Sequence, residues 1–149
     1  MGRYAAYKDF GESNWRIGYG SEIIDDHYLD ANDRASQEDI DKQFYEDLKS
    51  FSKEAEKYIF VNLNKNKRAA LLSFAHSIGI CSFKSCRLLD LVNSYGSKNK
   101  IIKEWSPYIN HIWMSGGDLM IARRRTELDM YFAPDKEIPT FYRHKCHAK

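Results

Sequence analysis

The spacing of apolar residues changes at Ser36, and this change constrains the fold more than any other feature of the chain. Residues 7–20 mix aromatic and β-branched residues with the turn formers Gly11, Asn14, Gly18 and Gly20. From Ser36 on, apolar residues recur at helical spacing, at Ile40, Phe44, Leu48, Phe51, Ala55 and Ile59. The sequence therefore predicts a small N-terminal β-hairpin sheet followed by helices, a mainly helical α+β fold.

Several helix ends can also be located. Ser36 followed by Asp39 resembles a capping box, which marks the start of the first long helix. A nearly apolar helix over residues 66–76 is expected to be buried and to end near Gly79, where glycine accepts a positive φ. Further helices are predicted from residue 82 or 83 to 95, over 98–113 as one or two segments, and from Asp118 to just before Pro134.

The cysteines form an odd set without paired CxxC spacing, Cys81, Cys86 and Cys146, so we expect reduced thiols made in a cytosol. Leucines around Cys86 should raise the pKa of its thiol and leave it unreactive. His144, Cys146 and His147 are of metal-ligand type, but one such cluster without a second ligand pair is a poor zinc site. We therefore expect no metal and no cofactor.

The charge balance gives little sign of a nucleic-acid partner. There are 23 Lys and Arg residues against 21 Asp and Glu residues, a net charge of +2. The hypothesis of a helical nucleic-acid-binding module is supported only by the basic clusters at residues 65–68 and 123–125. No run approaches the roughly 18 apolar residues of a membrane-spanning helix, and the N-terminus lacks an apolar signal core. We expect a soluble protein with no membrane span.

Four blocks occur in the order found in one known family. Residues 7–20, which read Tyr-Lys-Asp-Phe-Gly-Glu-Ser-Asn-Trp-Arg-Ile-Gly-Tyr-Gly, resemble the active-site hairpin of phage lysozymes, glycoside hydrolase family 24. The other three blocks look like the family's buried central helix, the helix after it and its closing segment: residues 68–79, residues 83–89, and Trp113 with Gly116, Gly117 and residues 123–128.

The resemblance implies a lysozyme-like fold. We expect one lysozyme-like domain over residues 1–149. Its parts would be a hairpin or sheet lobe over residues 1–35, a helical lobe over residues 36–133 and a tail over residues 134–149.

The resemblance also implies a peptidoglycan hydrolase. An endolysin-like muramidase cleaves the β-1,4 bond between N-acetylmuramic acid and N-acetylglucosamine, using an acid and a second carboxylate on the opposite face of the sugar. The second carboxylate corresponds to Asp9, although an aspartate that only caps the turn is the simpler alternative. Arg16 replaces the family's water-positioning threonine, and its fork would clamp a carboxylate such as Asp9, Glu12 or a peptide-stem acid of the substrate. The implied substrate-binding residues are Tyr7, Tyr19, Gly20, Ser21 and Trp113.

The family's catalytic glutamate lies before that aspartate, at a position that would fall ahead of Met1. Within the chain, Glu12 is the candidate acid, with a solvated turn carboxylate as the alternative. Three interpretations stay open: an upstream segment carries the acid, a partner chain supplies it, or the protein is a catalytically inactive wall-binding or virion structural protein. In each, the expected partner is bacterial peptidoglycan and not nucleic acid. The protein would be made in the host cytoplasm and reach the periplasmic wall after holin action or lysis, or in a virion.

Overall fold

The structure of the protein is a computed structural model that describes residues 4–110 and 117–134. The chain divides into two compact units, Met1–Lys53 and Glu54–Lys149. The expected mainly helical α+β class is confirmed, while the single domain and its lobe boundaries stay predictions. The elements are β1 (Tyr4–Ala5), β2 (Ile23–Ile24), β3 (His27–Tyr28), β4 (Arg34–Ala35), α1 (Gln37–Glu56), α2 (Lys65–Ile78), α3 (Ile80–Lys84), α4 (Arg87–Asn93), α5 (Lys98–Asn110) and α6 (Gly117–Phe132).

The first unit is built on short antiparallel pairs. β1 pairs with β4, and β2 pairs with β3. Within the predicted hairpin, single bridges join Tyr7 to Arg16 and Ile17 to Ser21 in place of continuous strands. Glycines with positive φ lie in the turn that each bridge closes, Gly11 in the first and Gly18 and Gly20 in the second, and they turn the backbone out of the extended conformation. The hairpin is therefore a series of tight turns fixed by paired backbone groups.

A small apolar core supports these turns. It consists of Ile17, Ile24, Leu29, Ala35 and Ile40, with Trp15 packed against it. Gly18, at a φ of 57°, lies so close to Ile40 that a Cβ atom there would overlap the isoleucine side chain. The hairpin backbone and the first turn of α1 are therefore in direct contact.

The start of α1 is fixed by the capping box that the sequence predicted. The Asp39 N–H donates to Ser36 Oγ at 3.2 Å, and the Ser36 N–H donates to Asp39 Oδ2 at 3.3 Å. Two of the N–H groups that a helix start leaves without helical partners are thus satisfied reciprocally. The helix ends at Glu56, so Ile59 of the predicted pattern lies beyond it.

The second unit is organised around α2, as its apolar sequence predicted. Leu71 and Phe74 are fully buried, and α2 packs against α6, which also packs against α5. The Phe74 ring centroid lies 5.2 Å from that of Trp105, which in turn lies 5.6 Å from that of Tyr131. This aromatic cluster joins the three helices. Gly79, at a φ of 83°, follows α2 as expected.

The helix predicted from residue 82 or 83 to 95 is wrong in one respect: it is two short helices, α3 and α4. The break falls at Ser85 and Cys86, because Cys86 caps α4 by accepting the Leu89 N–H on its Sγ atom at 3.4 Å. Burial raises the pKa of the Cys86 thiol, as the leucines around it in the sequence predicted. The Cys86 thiol is therefore a structural group.

A buried ion pair lies inside α6. Arg124 and Glu127 are 1% and 0% exposed, and Arg124 Nη2 donates to Glu127 Oε1 at 2.9 Å. Arg123 Nε and the Ser73 hydroxyl donate to the same oxygen at 3.1 and 2.6 Å. A charge buried this deeply is tolerated only when it is paired and hydrogen-bonded. The network thus fixes the packing of α6 on α2.

We expect Gly18→Ala to lower the free energy of unfolding by about 2 kcal/mol, through the overlap with Ile40 and the positive φ. Urea denaturation measures the loss. Gly11→Ala is the matched control, because Gly11 also has a positive φ, 83°, but open space around it. The control should cost about 1 kcal/mol, from backbone strain alone. Equal losses in the two variants would contradict the close contact.

We expect Arg124→Met to lower the free energy of unfolding by about 3 kcal/mol, because it leaves the buried Glu127 without its buried partner. Arg125→Met is the control, since Arg125 is exposed on the same helix. A surface change of this kind should stay within about 0.5 kcal/mol. Chemical denaturation of both variants gives the comparison, and a tolerant Arg124 position would refute the role given to the pair.

Candidate active site

The hairpin that carries Asp9 is closed by two backbone hydrogen bonds. The Tyr7 N–H donates to the Arg16 carbonyl and the Arg16 N–H to the Tyr7 carbonyl, each at 2.8 Å. The Glu12 N–H then donates to the Asp9 carbonyl at 3.0 Å, which closes the turn between them. Gly11, at a φ of 83°, allows this turn. Asp9 and Glu12 are thereby held at one end of the hairpin.

The Arg16 side chain gathers three carboxylates, and we call this group the Arg16 cluster. Arg16 Nη1 lies 3.2 Å from Asp9 Oδ2, Nη2 lies 3.7 Å from Glu12 Oε2, and Nε lies 3.5 Å from Glu22 Oε1. Partial burial acts to lower the pKa of the Arg16 guanidinium, but the charges of Glu12, Glu22 and Asp9 outweigh it and raise the pKa. Arg16 is therefore a permanent cation, and the predicted clamp on Asp9 and Glu12 is present.

The Arg16 cluster faces solvent. The side chains of Asp9, Glu12 and Glu22 are 57%, 49% and 36% exposed, whereas that of Arg16 is 28% exposed. Three carboxylates against one guanidinium leave a net charge of −2 on this face of the hairpin. Exposed pairs of this kind add little to stability, so their arrangement matters mainly for what the hairpin can bind or activate.

Glu22 is the member of the cluster to which the sequence had given no role. The strand register explains its position, since Ile17 pairs with Ser21 in antiparallel register and Arg16 and Glu22 are therefore cross-strand neighbours. Asn14 Nδ2 also donates to Glu22 Oε2 at 3.0 Å. Glu22 is thus held from both sides.

The residues predicted to bind substrate fall in different surroundings. Tyr7 pairs with Arg16 and is partly exposed. Tyr19 is exposed, with its ring centroid 4.7 Å from that of Phe44. Gly20 has a φ of 107° and open space where a Cβ would lie. All three lie on the hairpin or the turns that follow it.

Ser21 and Trp113 differ from these. Ser21 is only 8% exposed, and its hydroxyl donates to Asp47 Oδ2 on α1. Gln43 Nε2 donates to the other Asp47 oxygen at 2.9 Å, so this serine links the hairpin to α1. Trp113 lies outside the described residues.

A small pocket lies beside the Arg16 cluster in the first unit. It has a volume of about 230 Å³ and is lined by Ser13, Asn14, Trp15, Glu22, Tyr28 and Leu29. Lys8 Nζ lies 5.1 Å from the centroid of the Trp15 ring. Flat rings beside hydroxyl, amide and carboxylate groups are suited to a sugar, whose faces are apolar and whose edges carry hydroxyls.

Over residues 4–110 and 117–134, no group of three or more His, Cys, Asp or Glu side chains is placed to hold a metal ion. The tail residues His144, Cys146 and His147 lie outside the described part of the chain. Within that part, no helix combines the length and apolar character needed to cross a bilayer.

The chain is similar to endolysins of two bacteriophages. The endolysin of Bacillus phage B103 is 27% identical over 139 residues, which are 91% of this chain and 50% of that protein, so the chain spans about half the length of that relative. The solved endolysin of Escherichia coli O157:H7 phage FAHEc1 has 23% identity and a TM-score of 0.70, covering 91% of this chain and 85% of that one.

A second solved structure has the same similarity. The muramidase domain of SpmX from Asticaccaulis excentricus has 23% identity and a TM-score of 0.70, with 89% of this chain and 88% of that chain covered. These likenesses establish the expected lysozyme-like fold. The family model described as phage lysozyme matches residues 2–127. Because this match covers most of the sequence, including the hairpin, α2 and the larger part of α6, the chain belongs to the phage lysozyme family.

Proposed function

We propose that this protein is an endolysin-like muramidase, which hydrolyses the β-1,4 bond between N-acetylmuramic acid and N-acetylglucosamine in peptidoglycan. The observation that carries the proposal is an exposed Asp9 at the hairpin turn of a phage lysozyme family member. The names of the similar proteins, an endolysin and a muramidase domain, support the same substrate. Tyr7, Tyr19, Gly20, Ser21 and Trp113 remain the proposed substrate-binding residues.

In this mechanism Asp9 is the second carboxylate. It activates the attacking water or stabilises the positive charge that develops on the sugar ring. Arg16 contacts Asp9 Oδ2 and keeps the carboxylate oriented, as a guanidinium fork does in other carboxylate pairs. Arg16 is thus a positioning residue for Asp9.

The acid must protonate the leaving oxygen, and we propose Glu12 for this role among the described residues. Glu12 is half exposed beside Arg16, which differs from the apolar pocket of a typical glycosidase acid. A carboxyl from a preceding segment or a partner chain is the alternative source.

A second candidate function is a catalytically inactive wall-binding or virion structural protein. The observation that favours it is Arg16 in place of the family's threonine, with its guanidinium bound to one oxygen, Oδ2, of Asp9. We also propose, as the setting of either function, synthesis in the host cytoplasm and access to the periplasmic wall after holin action or lysis, or delivery in a virion.

We expect Asp9→Asn to lower the release of reducing ends from purified sacculi about 100-fold or more, because the second carboxylate is lost. Clearing of chloroform-treated Gram-negative cells should fall in parallel. Binding to sacculi, measured by co-sedimentation, should be retained. Asp41→Asn, an exposed change on α1, is the control and should leave the rate unchanged. Binding by the unaltered protein without release of reducing ends at any pH from 5 to 8 would favour the inactive wall-binding protein instead.

We expect Glu12→Gln to lower the same rate about 100-fold, since the leaving oxygen then has no proton donor. Glu38→Gln is the control, because it makes the same chemical change at an exposed position on α1, outside the Arg16 cluster. Its rate should stay near that of the unaltered protein. If Glu12→Gln keeps full activity, Glu12 is not the acid and the carboxyl comes from a preceding segment or a partner chain.

A further inference from the structure

We propose that the second unit carries a binding site for an acidic sugar, built from residues unrelated to the Arg16 cluster. The site is a pocket of about 440 Å³, which we call the lysine–aromatic pocket. This volume is in the range of pockets that hold small organic ligands. The lining residues that carry the argument are Lys67, Tyr95, Gly96, Lys98, Tyr131 and Phe132.

Two ammonium groups give the pocket its charge. Lys67 Nζ lies 5.4 Å from the centroid of the Tyr131 ring, and Lys98 Nζ lies 5.0 Å from that of the Phe132 ring. Neither lysine forms an ion pair with a carboxylate of the described residues, and the pocket has no acidic residue in its lining. Two cations without anionic partners in one concave site favour an anionic ligand.

The aromatic rings give the pocket its shape. Tyr131 is almost fully buried and forms a fixed wall, whereas Tyr95 is 78% exposed. Tyr95 has a φ of 54°, a conformation that residues other than glycine seldom adopt. Such strain is found preferentially at functional sites.

The turn at Gly96 fixes the position of Tyr95. The Gly96 N–H donates to the Leu91 carbonyl at 2.7 Å, and a Cβ atom at Gly96 would lie only 2.9 Å from that oxygen. The close approach requires glycine and leaves the chain little freedom. The Tyr95 ring is therefore presented from a constrained backbone, which limits the entropy lost when a ligand stacks on it.

Rings beside ammonium groups match a sugar that carries a negative charge. The exposed Tyr95 ring contacts the apolar face of the sugar, and the lysines contact its carboxylate or phosphate. The choice of N-acetylmuramic acid as the ligand rests on the proposed function, whereas the anionic-sugar chemistry of the pocket does not. A second site of this kind would hold the wall polymer while the hairpin acts on it.

The test is an NMR titration of the full chain with N-acetylmuramic acid and with N-acetylglucosamine, which lacks the lactyl carboxylate. We expect saturable shifts at Lys67, Tyr95 and Lys98, and binding of N-acetylglucosamine about tenfold weaker. The double variant Lys67→Met with Lys98→Met should lose about tenfold in affinity. The control is Lys100→Met with Lys103→Met, which removes the same charge from exposed positions on α5 and should change nothing.

Glucose 1-phosphate provides a further arm of the experiment. Tighter binding of this ligand at the same residues assigns the pocket to a phosphate-bearing wall sugar and retains the anionic-sugar chemistry. The absence of saturable shifts with both anions, equal binding of N-acetylglucosamine, or an unaffected double variant would overturn the proposal. Asp9 does not line this pocket, so the Asp9→Asn variant should bind N-acetylmuramic acid normally. If the unaltered protein binds this sugar but never hydrolyses sacculi, the proposed function is contradicted and the proposed pocket is not.

Discussion

The pair of backbone hydrogen bonds between Tyr7 and Arg16 determines where the charges of the candidate site lie. They close the hairpin, so Asp9 and Glu12 meet at its turn and the Arg16 side chain projects among them. The Ile17–Ser21 bridge extends the same register and brings Glu22 to the other side of Arg16. The contact of Gly18 with Ile40 then holds this arrangement on α1. Backbone pairing therefore brings the charged residues of the site together, and the ion pairs between their side chains form as a result.

Local signals in the sequence predicted much of the fold. The capping box at Ser36 and Asp39 and the glycine after α2 involve residues within a few positions of one another, so their chemistry can be identified from the sequence alone. The division into α3 and α4 was missed because a cysteine is an uncommon helix cap. The buried pair of Arg124 and Glu127 was also not predicted, since it depends on the packing of α6 on α2, where the Ser73 hydroxyl donates to Glu127.

The residues of the candidate site could be predicted from the sequence only in part. The resemblance to phage lysozymes predicted a catalytic role for Asp9. The fork geometry of arginine predicted that Arg16 would pair with a carboxylate such as Asp9. The place of Glu22 required the strand register, which glycine-rich turns leave weakly specified in the sequence. The commitment of Ser21 to Asp47 required knowledge of where α1 runs beside the hairpin. Contacts between residues of separate elements are thus the part of the site that the sequence did not predict.

The ion pair inside α6 also affects how the sequence can change over time. Replacing Glu127 alone leaves the buried Arg124 without this counterion, and replacing Arg124 alone leaves Glu127 with the partly exposed Arg123 as its remaining arginine partner. Replacing both at once with apolar residues of similar size removes the charges together with their desolvation cost. Substitutions at these two positions are therefore expected to occur together during evolution. For the same reason, protein engineers would have to change the two residues together.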